Sequence, residues 1–147
     1  MKTRLLLVDD EEQFVNQLAD RLRLRDYDVT TVFNGEAAIK KIKEYLFDVV
    51  ILDVSMPGID GIEALSEFKK IKPLTEVIML TGHATVESAI EGMKLGAFDY
   101  LMKPCETEDL LSKIEKACER KTEQDERIRT AKIKEIISSP RSALDKD

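Results

Sequence analysis

The chain has 147 residues, a length that suits one compact domain with a short appendage and disfavours two domains. Its residues are 43% hydrophobic and 35% charged, which supplies enough apolar material for a core and excludes a globally disordered chain. With 23 basic and 29 acidic residues the net charge is −6, which argues against direct nucleic-acid binding and against adhesion to an anionic membrane. No apolar run approaches the roughly 20 residues of a membrane span, so we expect a cytoplasmic protein. Cys105 and Cys118 support neither a zinc site nor a disulfide scaffold.

Short aliphatic runs alternate with segments of helical period from Arg4 to Cys118, a pattern typical of a parallel sheet with crossover helices. The predicted strands are Arg4–Val8, Asp28–Val32, Val49–Asp53, Glu76–Leu80 and Asp99–Met102. The first, third and fourth contain continuous apolar runs, which predicts that both of their faces are buried at the centre of the sheet. The second and fifth have mixed composition and suit the edges.

Five segments between and after these strands carry apolar residues at spacings of three or four, which predicts one apolar face on each of five helices. These faces are Phe14/Leu18/Leu22, Ala38/Ile42/Tyr45, Ile62/Leu65/Phe68, Val86/Ile90/Met93 and Leu110/Ile114/Ala117. The chain is therefore predicted to be an α/β protein of five β-α units.

The composition changes after Cys118, where the segment 119–127 has no apolar residue and isoleucines then return only thinly. Such a segment can form a helix but cannot form core. We therefore predict one domain at 1–119 and a helical linker or tail at 120–147, partly disordered after Ser138. Its heptad pattern is interrupted at Lys121 and Asp125, which predicts at most a weak or conditional coiled coil.

Five polar residues end or follow strands of this predicted sheet: Asp9, Asp10, Asp53, Thr81 and Lys103. Ligands of open parallel sheets bind beyond the carboxyl ends of the strands, so these side chains are expected at one edge. Each has an ordinary explanation alone, and adjacent acids before a helix often act as N-caps. Three carboxylates at one edge repel one another unless a cation joins them, and oxygen ligands suit Mg²⁺. A divalent ion, an ammonium and a hydroxyl are what phosphoryl transfer onto a carboxylate needs.

Four sequence motifs, in their order along the chain, resemble the receiver domain of two-component response regulators. The amino-acid sequence from Leu80 to Glu106 is most similar to receivers attached to AAA+ enhancer-binding transcription activators. The motifs are Leu5-Leu6-Leu7-Val8-Asp9-Asp10-Glu11, residues 48–61 around Leu52-Asp53-Val54-Ser55-Met56-Pro57-Gly58, Leu80-Thr81-Gly82-His83-Ala84, and residues 96–104 ending in Tyr100-Leu101-Met102-Lys103-Pro104. The resemblance implies a flavodoxin-like fold, with a five-stranded parallel sheet of order 2-1-3-4-5, five flanking helices and a C-terminal helical extension.

The resemblance also implies a role for each acidic residue. Asp53 would accept a phosphoryl group from a sensor histidine kinase or a phosphotransfer protein and form an acyl phosphate. The carboxylates of Asp10 and Asp53 and the main-chain carbonyl of Ser55 would hold Mg²⁺. Asp9 would act mainly through a metal-bound water.

The remaining motif residues would read the phosphorylated state. The resemblance implies that Thr81 bonds one phosphoryl oxygen, that Lys103 pairs with another, and that Tyr100 rotates inward as the switch aromatic. Pro104 suggests a cis Lys103–Pro104 peptide bond, because a proline tertiary amide loses only about 0.5–1 kcal/mol in the cis form. Cys105 stands where the family often has Phe, and either residue can pack there.

In this interpretation the protein is a phosphoacceptor in signal transduction, with at most self-phosphorylation and autodephosphorylation activity. Ser55 and His83 would line the path of the attacking water. Phosphorylation would favour a homodimer through the fourth helix, fifth strand and fifth helix. The helical extension ends like a linker, as expected for part of a longer regulator.

Two functions of other classes share some of these features. A flavodoxin-like cofactor binder needs a phosphate-cradling loop after the first strand, where this chain has the acidic run Asp9-Asp10-Glu11-Glu12. A magnesium phosphohydrolase with an aspartyl intermediate is expected to have a second acid two residues beyond the nucleophile, where this chain has Ser55.

Overall fold

The computed structural model describes residues 2–82 and 86–138, so His83 and the predicted disordered tail after Ser138 lie outside the described residues. Within these ranges strands and helices alternate along the chain, which confirms the predicted α/β architecture. The strands are β1 (Arg4–Val8), β2 (Asp28–Val32), β3 (Val49–Leu52), β4 (Glu76–Thr81) and β5 (Asp99–Met102). The helices are α1 (Glu12–Leu24), α2 (Gly35–Glu44), α3 (Gly61–Ile71), α4 (Val86–Lys94) and α5 (Thr107–Ser138).

All strand pairs are parallel and the sheet has the order β2-β1-β3-β4-β5, as the resemblance implied. The mixed strands β2 and β5 occupy the edges. Val8 is level with Val32 on one side and with Leu52 on the other, and Thr81 is level with Met102. The carboxyl ends of the strands therefore form one continuous edge, to which the residues after each strand are delivered.

The central strands are buried on both faces, as their continuous apolar runs predicted. Leu5 and Leu7 of β1 pack with α1 and α5, whereas Leu6 and Val8 pack with α2 and α3 on the opposite face. These four side chains are at most 2% exposed. Burial of one such side chain contributes about 1.5–3 kcal/mol, so the two apolar layers hold the sheet rigidly beneath the polar edge.

Two strand ends differ by one residue from the prediction. β3 ends at Leu52 rather than Asp53, because the chain turns away after it, although the Asp53 amide still donates to the Val8 carbonyl at 2.9 Å. β4 continues to Thr81, whose carbonyl accepts from the Lys103 amide at 2.9 Å.

The predicted core face of α4 is wrong. Val86, Ile90 and Met93 are 76%, 49% and 47% exposed. The helix instead faces the sheet with Gly92, where an added Cβ would lie 2.5 Å from the Met79 sulfur. A helix that approaches a strand through a glycine has no need of a large inward side chain, so its apolar stripe remains on the surface.

The second helix also departs from its predicted face at one residue. Asn34 caps α2, and its side chain accepts from the Ala37 amide at 2.7 Å. Tyr45 follows the helix and is 46% exposed, because α2 ends at Glu44. The Lys41 ammonium lies 5.2 Å from the centroid of its ring, which places this aromatic in a cationic surface environment.

The last helix runs without a break from Thr107 to Ser138, which confirms the helical extension. Its side chains beyond Arg120 are mostly exposed, as expected for a segment that forms no core. Lys121 lies 2.9 Å from Asp125 and 3.6 Å from Asp48, so both residues that interrupt the heptad pattern are paired within the chain. None of the described helices has a stretch long and apolar enough to cross a membrane.

A buried carboxylate at the start of β4 joins the extension to the sheet. Glu76 is 1% exposed, and its charge lies 3.8 Å from the Lys69 ammonium and 3.3 Å from the Arg120 guanidinium. Its Oε2 accepts no hydrogen bond from the described residues, and the Arg120 guanidinium is the charged group that lies closest to it among them. An ion removed from water is costly unless it is paired. Glu76 therefore ties α3, β4 and α5 together at the edge opposite the predicted site.

We expect Glu76 and Arg120 to be energetically coupled. In a double-mutant cycle with Glu76→Gln and Arg120→Gln, urea denaturation should give a coupling free energy of about 1–2 kcal/mol, because Arg120 is half exposed and solvent screens part of the pair. Arg129→Gln, which affects an exposed pair in the same helix, should change the free energy of unfolding by less than about 0.5 kcal/mol. Additive effects of Glu76→Gln and Arg120→Gln would contradict the coupling.

Candidate functional site

The structure brings the predicted site residues together at the carboxyl edge of the sheet. Asp9 follows β1, Asp53 follows β3, Thr81 ends β4 and Lys103 follows β5. Asp53 is 2% exposed and Thr81 is fully buried. Four elements that are distant in sequence therefore deliver carboxylates, a hydroxyl and an ammonium to one small region.

The Lys103 ammonium lies among three carboxylates. Its Nζ donates to Asp9 Oδ2 at 2.5 Å and to Glu11 Oε1 at 3.0 Å, and it lies 4.0 Å from Asp53 Oδ2. The ring of Phe14 lies beneath it, with its centroid 4.2 Å from the nitrogen. The ammonium is thus held at the site by charge on one side and by an aromatic face on the other.

Burial and charge shift the pKa values of this pair. Burial raises the pKa of Asp9 to about 6 and the charge of Asp53 adds to the rise, although hydrogen bonds from Lys103 and from the Glu11 amide oppose it. Burial by itself lowers the pKa of Lys103, but its hydrogen bonds to Asp9 and Glu11 outweigh this and the net direction is upward. Lys103 therefore stays cationic at neutral pH. The ionised form of Asp9 is destabilised by burial and by the charge of the neighbouring Asp53.

Asp9, Asp10 and Asp53 each offer a carboxylate oxygen, and these oxygens lie within 4.8 Å of one another. The N-cap of α1 is Glu11, without a side-chain capping bond, so the capping explanation for Asp9 and Asp10 does not apply. The donor set is made of oxygen alone, with one carboxylate exposed and two buried. These residues fit a hard divalent cation such as Mg²⁺, which would relieve their mutual repulsion.

The loop after β3 fixes the backbone of Asp53. The Ser55 amide donates to Asp53 Oδ1 at 3.3 Å, and the Gly61 amide donates to the Val54 carbonyl at 2.8 Å. A Cβ on Gly61 would lie 2.1 Å from the Asp53 carbonyl oxygen, so no other residue fits at this close approach. Asp60 caps α3 by accepting from the Glu63 amide at 2.9 Å.

The two predicted switch residues lie on adjacent strands. Thr81 is buried at the end of β4, and Tyr100 in β5 is partly buried. The Tyr100 hydroxyl and the Ser88 hydroxyl are 3.1 Å apart, which joins β5 to α4. The aromatic ring therefore contacts the helix whose apolar stripe is exposed.

A family model described as the response regulator receiver domain matches residues 5–115. The chain belongs to the response regulator receiver family. Transcriptional regulatory protein ZraR of Escherichia coli strain K12 is 38% identical over 113 residues, which are 77% of this chain and 26% of that protein. A putative NtrX-like response regulator of Rickettsia typhi is 38% identical over 117 residues, 78% of this chain and 25% of that protein. The expected similarity to receivers of enhancer-binding activators is thereby confirmed.

The receiver fold is equally clear among solved structures. The CheY-like receiver domain protein of Methanospirillum hungatei JF-1 superposes with a TM-score of 0.82 at 28% identity, over 84% of this chain and 99% of that one. The receiver described here spans about a quarter of the length of the curated relatives it matches.

Two further features of the receiver concern the segment after β5. The Lys103–Pro104 peptide bond is cis, as expected. Cys105 is partly buried and packs against the core on the α1 and α5 face. Burial raises the pKa of Cys105, and burial raises that of Cys118 to about 11, so neither thiol forms a reactive thiolate at neutral pH.

Sequence reasoning missed three contributors to the site. Glu11 enters the sequence analysis only as part of the first motif and of the acidic run after the first strand, yet it binds Lys103. Phe14 was assigned to a core face, although its ring also contacts the ammonium. Gly61 enters the sequence analysis only as the last residue of the second motif, and its close contact with Asp53 is not predicted there. The position of Glu11 directly after Asp9-Asp10 was the available signal, whereas the other two contacts need the folded loops.

We expect Gly61→Ala to destabilise the receiver by about 3 kcal/mol, because the added methyl group overlaps the rigid backbone at Asp53. Urea denaturation measures the change. Gly82→Ala is the matched control, since among the described residues its Cβ would have Lys103 Cβ at 3.9 Å as its nearest contact. Equal stability of the two variants would show that the loop accommodates the methyl group and that the close approach is not required.

Proposed function

We propose that this receiver accepts a phosphoryl group on Asp53 from a sensor histidine kinase or a phosphotransfer protein, and that the modification changes its conformation or self-association. The observation that carries the proposal is the buried Asp53 carboxylate, 4.0 Å from the Lys103 ammonium and beside two further carboxylates. A buried nucleophile with an ammonium and a cation-binding donor set is suited to an anionic phosphorus centre.

The proposed reaction transfers one phosphoryl group. A carboxylate oxygen of Asp53 attacks phosphorus, and a P–O bond of the new acyl phosphate forms. The bond from phosphorus to the donor breaks, and its electron pair returns to the imidazole nitrogen of the kinase or to the carboxylate oxygen of acetyl phosphate. Lys103 stabilises the charge that develops on one equatorial oxygen, and the Thr81 hydroxyl bonds another.

We propose Asp10, Asp53 and the main-chain carbonyl of Ser55 as ligands of Mg²⁺, with Asp9 acting through a bound water. When bound, the ion supplies positive charge that neutralises the acidic cluster and the transferring phosphoryl oxygens. The protein contribution is orientation: the Glu11 amide donates to Asp9 Oδ1 at 2.9 Å, and the Ser55 amide donates to Asp53 Oδ1.

One contact disfavours a cofactor binder, and one residue identity disfavours a phosphohydrolase. The amide of Glu11, in the loop where a cofactor binder would cradle phosphate, is already bonded to Asp9. Ser55 offers no acid two residues beyond Asp53 for a dedicated phosphohydrolase. We therefore propose a phosphoacceptor whose activity is limited to self-phosphorylation and autodephosphorylation, with the latter tuned by Ser55 and by His83.

Incubation with acetyl phosphate and Mg²⁺ should add one base-labile phosphoryl group, detected by intact-mass analysis. Asp53→Asn should abolish the addition because the nucleophilic carboxylate is lost, and Asp10→Asn or omission of Mg²⁺ should reduce the yield at least tenfold. Asp60→Asn is the matched control from the same loop, since asparagine also caps a helix. Equal labelling of Asp53→Asn and Asp60→Asn would remove Asp53 from its role.

We propose that Thr81 and Tyr100 convert phosphorylation into a change at α4. A phosphoryl group on Asp53 draws the Thr81 hydroxyl inward, and the space that it leaves admits the aromatic ring. The 3.1 Å contact between Tyr100 and Ser88 would then be lost. Because Ser88 lies in α4, this exchange changes how the exposed helix packs.

The surface proposed for self-association is the α4–β5–α5 face. Its exposed apolar residues are Val86, Ile90, Met93 and, on β5, Met102. The flanking charged residues, of both signs as an isologous contact needs, are Glu87, Glu91, Lys94, Asp99, Lys113, Lys116 and Glu119. Asp99 and Lys113 already pair at 2.5 Å within the chain. A second copy would therefore contact the exposed apolar residues and the remaining charged residues of this face.

We propose residues 1–119 as the receiver proper and 120–147 as the linker, with α5 carrying a change in the receiver to an output in the cytoplasm. The similar protein ZraR is named as a transcriptional regulatory protein, and transcriptional control is the output that we propose. Direct nucleic-acid binding is not proposed for this chain, because its net charge is −6.

Sedimentation with Mg²⁺ should show a larger average mass after beryllofluoride is added. Ile90→Glu should reduce the shift because it places a charge in the proposed contact, whereas Leu24→Glu, at an exposed leucine of α1, should leave it unchanged. Deletion of residues 122–147 retains the Arg120 anchor and tests the linker. An average mass that beryllofluoride does not change, in the full chain and in the shortened chain alike, would contradict the proposed dimer. Loss of the dimer only in the shortened chain would place the contact in the extension.

A further inference from the structure

Glu11 is an exposed residue with a specific partner in the site. Its side chain is 61% exposed, yet its Oε1 accepts from the Lys103 ammonium at 3.0 Å. Lys103 itself is only 11% exposed, so the pair joins a surface carboxylate to a half-enclosed ammonium. This contact is not needed to hold a cation, because the close group of carboxylate oxygens consists of Asp9, Asp10 and Asp53.

The two carboxylates that bind Lys103 differ in how easily each can release the ammonium. An ammonium has three N–H donors, of which Asp9 and Glu11 use two. Asp9 is buried and its other oxygen is held by the Glu11 amide. Asp53, the proposed phosphoacceptor, lies beyond hydrogen-bond distance at 4.0 Å. When the ammonium must turn toward Asp53, the exposed Glu11 carboxylate is the partner that can return to water at least cost.

Building on the proposed function, we propose that Glu11 is a positioning residue that competes with phosphoryl oxygens for Lys103. It acts through the ammonium and does not touch Asp53. In the resting protein the Glu11 carboxylate accepts a hydrogen bond from Lys103 and keeps the ammonium from turning toward Asp53. An incoming phosphoryl group replaces that carboxylate as the anionic partner. Glu11 thereby lowers the affinity of the site for a phosphoryl group and for a phosphoryl mimic such as beryllofluoride.

Glu12 separates this competition from general repulsion. It is an adjacent exposed carboxylate at the first turn of α1, and it forms no ion pair with Lys103. Removal of its charge changes the net charge by the same one unit as removal of the Glu11 charge. The difference between Glu11→Gln and Glu12→Gln therefore reports the contact with Lys103 rather than net charge.

The test measures beryllofluoride binding by the full chain at saturating Mg²⁺, by calorimetry. Glu11→Gln should bind about twofold to fivefold more tightly than the unmodified protein, the size expected for release of a partly exposed ion pair. Glu12→Gln should differ by less than about 1.5-fold. In a Lys103→Gln background, Glu11→Gln should lose its advantage, because the ammonium for which the two anions compete is absent.

Unfolding of the magnesium-free protein supplies a readout independent of phosphoryl binding. Glu11→Gln and Lys103→Gln should be non-additive in the urea midpoint, whereas Glu12→Gln and Lys103→Gln should be additive. Equal affinities of Glu11→Gln and Glu12→Gln, or an advantage of Glu11→Gln that persists without Lys103, would overturn the role of Glu11 and leave the proposed function intact. Failure of the unmodified protein to bind beryllofluoride would overturn both.

Discussion

The ion pairs of Lys103 are the interaction on which the rest of the site depends. Parallel strands that end level with one another deliver acidic residues to a single edge, and burial makes their repulsion expensive. Lys103 offsets part of that repulsion through Asp9 and Glu11, but one ammonium cannot balance Asp9, Asp10 and Asp53 together. The unmet charge makes the site receptive to a divalent cation. In the proposed function the same ammonium also pairs with an incoming phosphoryl group, so the contacts that stabilise the resting protein would oppose its modification.

The β4 strand connects this edge with a second charged cluster at the opposite end of the sheet. It begins at Glu76, whose buried carboxylate lies between Lys69 and Arg120, and it ends at Thr81, at the same edge of the sheet as Asp53, the proposed phosphoacceptor. Burial lowers the pKa of Lys69, although the Glu76 carboxylate opposes this shift. A short rigid strand thus carries the residue that anchors the helical extension and the residue proposed to sense the phosphoryl group. Their separation is fixed by the backbone, so a displacement of Thr81 would involve its side chain rather than the strand.

The sequence predicted the sheet well because its signals are local and redundant. Continuous apolar runs in β1, β3 and β4 can be satisfied only between two helical layers, and mixed strands can only lie at the edges. Site residues directly after strands were predictable for the same reason. The α4 face was not, because an apolar stripe at helical spacing looks the same whether it faces the core or solvent. Glu11, Phe14 and Gly61 were missed as site contacts because their partners come from other β-α units, and such contacts depend on loop geometry.

The error at α4 has a physical cause that bears on function. Gly92 brings the helix against Met79 with almost no intervening side chain, so the larger apolar residues turn outward. A helix packed through a glycine gives up the burial that would fix it firmly, and the Tyr100–Ser88 contact is one of the side-chain links that join it to β5. An exposed apolar stripe raises the free energy of the isolated receiver in water. A second copy that covers the stripe would recover that energy, which is why α4 is the element whose packing we propose that a phosphoryl charge changes.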